Sequence, residues 1–179
     1  PGNGGFPTAL KVHTNGYLYI FHEDYFVPLT GSSPSTFGIR PGDIKHGFGT
    51  RAPRSLITVL DTLGFVNSRD NEFYLMNQPD SPLSYEIVLG DLIDFVKESQ
   101  TICHFDNELD LIRIAYWHSG GIAIGDEEIY SLNEKKWCGQ TRGRNISFYS
   151  QWDGAGDDGR LITGRSDIGA VMVNDNSIN

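Results

Sequence analysis

Three consecutive acidic residues, Asp126-Glu127-Glu128, are the first feature of the chain with chemical potential. Neighbouring side chains on a strand point to opposite faces, so Asp126 and Glu128 share one face. Two carboxylates placed this way can hold a hydroxyl and stabilise positive charge that grows in a transition state. The alternative is a solvated hairpin tip. A second acidic group is Asp153-Gly-Ala-Gly-Asp157-Asp158-Gly159, with Asp167 and Asp175 further on. Glycine lets several oxygens converge on a hard cation, which makes Asp153, Asp157 and Asp158 candidate Ca2+ ligands. Tyr149 and Trp152 stand beside this loop, and an aromatic face is a platform for a sugar ring. Together they describe a calcium-assisted, lectin-like carbohydrate-binding module. The spacing is not that of an EF-hand loop, and the alternative is an exposed acidic turn built on Gly156 and Gly159.

The five histidines include the groups His22-Glu23-Asp24 and Cys103-His104, but none has zinc-ligand spacing. His46 lies in a long Gly-rich segment and is the histidine placed to act as a general base beside a bound cofactor. Cys103 and His104 are chain neighbours and point apart on a strand, so they are no nucleophile–base pair. Cys103 and Cys138 are either two buried thiols or one disulfide. Lys135, Lys136, Arg142 and Arg144 surround Trp137 as a local basic stretch that suits a phosphate or an acidic partner, or is simply solvated. Asn145-Ile146-Ser147 matches the glycosylation acceptor pattern. Walker loops, dinucleotide fingerprints and nucleophile elbows are absent from the sequence.

Arg40-Pro41-Gly42-Asp43-Ile44 leads to Gly47-Phe48, and Gly64-Phe65 leads to Glu72-Phe73-Tyr74-Leu75. With Asp126-Glu127-Glu128 after a Gly-rich turn, these segments resemble the ADP-ribosyltransferase toxins of the cholera and pertussis type. The resemblance implies NAD as co-substrate, Arg40 as the phosphate ligand and Glu128 as the catalytic carboxylate, with Asp126 beside it. It also implies a secreted toxin or effector domain that acts on a protein target. The chain departs from the family pattern at Ser35-Thr36-Phe37, where a Tyr-Arg pair is expected. It departs again at Leu75-Met76-Asn77, in place of Ser-Thr-Ser.

The elements that must position these groups come next. A chain of 179 residues is read as one domain. With 21 glycines and 12% aromatic residues, it suggests strands joined by tight turns. A net charge of −9 repels a phosphate backbone, so non-specific nucleic-acid binding is not expected. No apolar run is long enough to span a membrane. Opening at Pro1 without Met, the chain reads as a processed or excised piece that has lost any targeting segment.

Residues 1–7 read as a flexible lead-in, followed by a hairpin in which Asn15-Gly16 joins Leu10–Thr14 to Tyr17–Phe21. Residues 30–54 read as a long loop, or as a loop broken by one short turn of helix. Leu56, Val59, Leu60 and Leu63 fall on one helical face, so a helix is expected over Ser55–Leu63, between Pro53 and Gly64. Strands are expected at Glu72–Met76, Tyr85–Leu89, Ile102–Phe105, Leu109–Trp117, Ile122–Ile124, Ile129–Leu132, Asn145–Trp152 and Ala170–Val173. A second helix, Leu92–Glu98, is expected to be capped by Asp91. The sum is an α+β fold, mostly antiparallel, with about seven or eight strands and two helices.

Overall fold

The computed structural model describes residues 5–118, 125–152, 160–165 and 169–174. Its strands are β1 (Ala9–Val12), β2 (Leu18–Phe21), β3 (Tyr25–Thr30), β4 (Gly38–Ile39), β5 (Lys45–His46), β6 (Ile57–Val59), β7 (Thr62–Val66) and β8 (Phe73–Leu75). They continue as β9 (Ile102–Asp106), β10 (Leu111–Trp117), β11 (Gly125–Ser131), β12 (Lys136–Thr141), β13 (Ile146–Trp152), β14 (Arg160–Arg165) and β15 (Ala170–Asn174). Every pairing between them is antiparallel.

The expectation of an α+β fold with two helices is therefore corrected. The described chain is nearly all-β: fifteen strands in four sheets, with a single four-residue α-helix, α1 (Leu89–Leu92), and short 3-10 turns. Instead of a helix over Ser55–Leu63, a 3-10 turn at Pro53–Ser55 enters the β6–β7 hairpin. The spacing misled because a hairpin can also bury Leu56, Val59 and Leu63. The fourth apolar residue, Leu60, is 63% exposed at the turn, with φ of 53°. Ile57, Thr58, Val59, Thr62 and Val66 are β-branched and favour the pleated surface. The second expected helix is also displaced. Asp91 lies inside α1, and Asp94 caps a 3-10 turn, Phe95–Gln100, by accepting from the Val96 N–H at 2.9 Å. Tyr85–Leu89 is no strand, because Tyr85–Ile87 is a 3-10 turn that runs into α1 through Val88 at φ 48°.

The Asn15-Gly16 hairpin forms, with Gly16 at φ 82° and Leu10 opposite Ile20. The segment expected as a long loop, or one broken by a short turn of helix, does hold a 3-10 turn at Pro41–Asp43, but also two short strands, β4 and β5. Strands β4 and β5 pair with the two ends of the same edge of β3. The expected strand Ile122–Ile124 lies outside the described residues.

Each sheet is a meander of strands in chain order, except that β5 of the first sheet returns past β4 to pair with β3. The first holds β1–β5, the second β6–β8, the third β9–β12 and the fourth β13–β15. Side chains of the second sheet alternate between two cores, as the two-residue period of a strand requires. Leu63, Phe65 and Tyr74 pack with Tyr19, Phe21 and Phe26 of the first sheet. Val66, Phe73 and Leu75 pack with Ile112, Ile114 and Tyr116 of the third. This explains why all five residues of β7 are buried. Phe21, Phe65 and Phe73 are at most 1% exposed, and each stabilises the stack by about 1.5–3 kcal/mol. Strand β9 lies against β6 on one side and β13 on the other. Successive meanders packed face to face are also the building principle of propeller-type β architectures.

Candidate functional site

Where the first and second sheets meet, their edges leave a cleft of about 530 Å3, a size that suits a small organic ligand. Tyr17 and Tyr19 come from the first hairpin, Phe26 and Pro28 from β3, and Phe48 from the segment after β5. Phe65 of β7 and Tyr74 of β8 close it from the second sheet. The rings touch in series. Tyr19 meets Phe26 at 5.7 Å, Phe26 meets Phe65 at 6.5 Å, Phe65 meets Tyr74 at 6.5 Å, and Tyr74 meets Phe48 edge-on at 5.6 Å. Such aromatic pairs add about 0.5–1.5 kcal/mol each beyond their buried area, so the floor is stiff.

Two phenols of the floor are held by hydrogen bonds. The Tyr74 hydroxyl donates to Asp70 Oδ2 at 2.8 Å, and Asn15 Nδ2 donates to the Tyr19 hydroxyl at 3.3 Å. Burial, with the Asp70 carboxylate close by, pushes the Tyr74 hydroxyl well above its ordinary value, so it stays neutral. Tyr17 is 38% exposed and offers its ring to solvent. The rim is polar: Asp43, Lys45 and Asp80 line the cleft and are exposed.

The acidic triplet is no hairpin tip. Asp126, Glu127 and Glu128 lie in β11, the strand between β10 and β12, and are 4%, 1% and 5% exposed. Asp126 and Glu128 share a face, as the strand period demands. Asp126 accepts from the Gly143 N–H at 3.3 Å. Glu128 Oε1 accepts from the Tyr116 hydroxyl at 3.2 Å and from Gln140 Nε2 at 2.5 Å. Burial raises the Glu128 carboxyl above its ordinary value, against the lowering effect of those two donors.

Glu127 points to the other face, toward the fourth sheet. It accepts from Thr141 Oγ1 and from the Tyr149 hydroxyl, both at 2.8 Å, and pairs with Arg113 Nη1 at 3.6 Å. His104 stacks on Tyr149 at 5.4 Å, and burial lowers its pKa. Thus the first three sheets join through apolar cores, while the third and fourth join through a buried polar cluster.

The residues singled out in the sequence are distributed as follows. Arg40 is exposed just before the Pro41–Asp43 turn, and His46 is exposed on β5 opposite Tyr25. Both belong to the first sheet, whereas Asp126 and Glu128 belong to the third. Among the described residues no hydrogen bond or ion pair joins Arg40 to either carboxylate. Asp153, Asp157 and Asp158 lie outside the described residues, within which no group of three metal-ligating side chains occurs. Cys103 is buried and Cys138 exposed, and both are free thiols. No helix among the described residues is long and apolar enough to cross a membrane.

Sequence reasoning missed the cleft, although its signal was present. Tyr17, Tyr19, Phe26, Phe48, Phe65 and Tyr74 are an unusual concentration of rings within one third of the chain. Fold and site together define a mostly antiparallel β protein with an aromatic cleft between two of its sheets. Compared with protein-family models, the chain matches none, and it matches no curated protein.

Proposed function

We propose that this protein is a carbohydrate-binding module that seats a sugar ring in the aromatic cleft. The cleft itself carries the reading: six aromatic rings line it, with acidic groups at the rim. A pyranose presents C–H bonds on its faces and hydroxyls on its edge. The faces suit aromatic rings, and the hydroxyls suit the Asp43 and Asp80 carboxylates. Ionised carboxylates only accept hydrogen bonds, so this rim selects a ligand rich in donors. A proline-rich peptide, the other common guest of aromatic grooves, offers mainly carbonyl acceptors and fits the rim poorly. This reading uses none of Arg40, His46, Asp126 or Glu128, and it needs no metal.

Titration calorimetry with β-linked oligosaccharides tests it, alongside thermal shifts with saccharide or NAD. Tyr17→Ala removes an exposed ring worth about 0.5–1.5 kcal/mol of stacking, so affinity falls roughly two- to twelvefold. The melting temperature of the free protein stays nearly constant, because Tyr17 is already 38% exposed. Stabilisation by NAD without any by saccharides would overturn the saccharide reading in favour of a nucleotide ligand.

A further inference from the structure

The charges at the rim narrow the ligand class. Asp43 ends the 3-10 turn of the first sheet, and Asp80 follows β8 of the second, so the two carboxylates reach the cleft from its two walls. Lys45 supplies the cation of the lining, which leaves the rim with an excess of one negative charge. Among the described residues, neither carboxylate takes part in an ion pair or accepts a hydrogen bond, and Lys45 makes no ion pair. Two other exposed acids are paired, Glu23 with Arg51 at 3.3 Å and Glu134 with Lys136 at 2.8 Å, whereas among the described residues the exposed Asp24, Asp61, Glu86 and Glu108 make no ion pair either.

We propose that the saccharide of this cleft is an amino sugar, whose protonated amines meet a rim carboxylate, Asp43 on one wall or Asp80 on the other, while its ring lies on the tyrosines. The inference rests on the saccharide reading above. A hydroxyl gives a carboxylate one neutral hydrogen bond. An ammonium group carries three donors and a charge, and charge-assisted hydrogen bonds are about twice as strong. The negative faces of Tyr17 and Tyr19 add a second attraction that a neutral hydroxyl lacks. At long range, the net charge of −9 draws a cationic ligand in. Lys45 opposes the amine by like-charge repulsion and so weakens the attraction of Asp43, two residues before it.

Titration of the whole protein with the β-1,4-linked tetramers of glucose, N-acetylglucosamine and glucosamine tests this. The glucosamine tetramer binds about two- to fivefold tighter than the other two at low salt, and the advantage shrinks as salt screens the exposed charges. In the double variant Asp43→Asn with Asp80→Asn the ratio between amine and hydroxyl tetramers falls toward one. In Lys45→Ala it widens. Equal affinity for all three tetramers, or a preference for the acetylated one, overturns the amine and leaves the saccharide reading standing. Failure of every tetramer to bind, with or without binding of a proline-rich peptide, overturns both.

Discussion

Replacing Glu127 by alanine tests the polar junction between the third and fourth sheets. The carboxylate is 1% exposed, holds two hydroxyl donors at 2.8 Å and faces Arg113, whose side chain is 11% exposed. Truncation leaves Arg113 buried without its counter-charge, a loss of about 3–5 kcal/mol. The freed Tyr149 and Thr141 hydroxyls belong to the same network, so their costs do not simply add. For a chain of this size each kcal/mol moves the melting temperature by about 2–4 °C, giving a drop of roughly 6–20 °C. Urea unfolding and calorimetry read the loss directly. Tyr149→Phe alone removes one hydrogen bond to a charged group, about 1.5–3 kcal/mol. In a double-mutant cycle with Glu127→Gln the two changes couple by about 0.5–3 kcal/mol. Removing both charges with Arg113→Met and Glu127→Leu costs far less than Glu127→Ala, because no buried charge is left unpaired. A Glu127→Ala loss below about 1 kcal/mol, or a Tyr149→Phe cost unchanged by the second substitution, would refute the junction.

Burial raises the Glu72, Glu98 and Glu128 carboxyls above their ordinary 4.5. In the window above 4.5 the folded state binds more protons than the unfolded one, so these groups make stability fall as pH rises through their folded values. Urea midpoints measured across that window show this slope, and Glu72→Gln flattens it; a steeper slope in the variant would contradict the assignment. Cys138 is exposed, whereas burial raises the Cys103 thiol well above its ordinary value. A maleimide therefore modifies Cys138 in the native protein and reaches Cys103 only in denaturant; two thiols titrating at one rate would exclude this arrangement.

Local signals marked about half of the strands and missed β3 to β7, β12 and β14. The Asn15-Gly16 turn set the register of β1 and β2, and the alternation around Leu111–Trp117 marked β10. Helices were over-read because three of the four apolar residues at helical spacing, Leu56, Val59 and Leu63, are also the set a hairpin buries, and only the β-branched content of Ile57–Val66 separates the two. Site residues were harder to read. The acidic triplet looks like solvent-facing sequence, and only tertiary context buries it, since its donors Tyr116, Gln140 and Tyr149 come from three other strands. The Arg40–His46 segment drew attention for Arg40 and His46, yet Asp43 and Lys45 between them reach the cleft. No local rule pairs them with Asp80, which arrives from another sheet.

Building each sheet from neighbours in the chain has a kinetic consequence. All-β proteins usually fold slowly because their pairings join distant segments. Here every strand but β5, which returns past β4 to β3, pairs with its neighbour in the chain, so closure entropy stays small. During synthesis from the N-terminus the sheets can form in the order in which they emerge. All residues that line the cleft lie between Tyr17 and Asp80, so its walls are encoded before the third sheet begins.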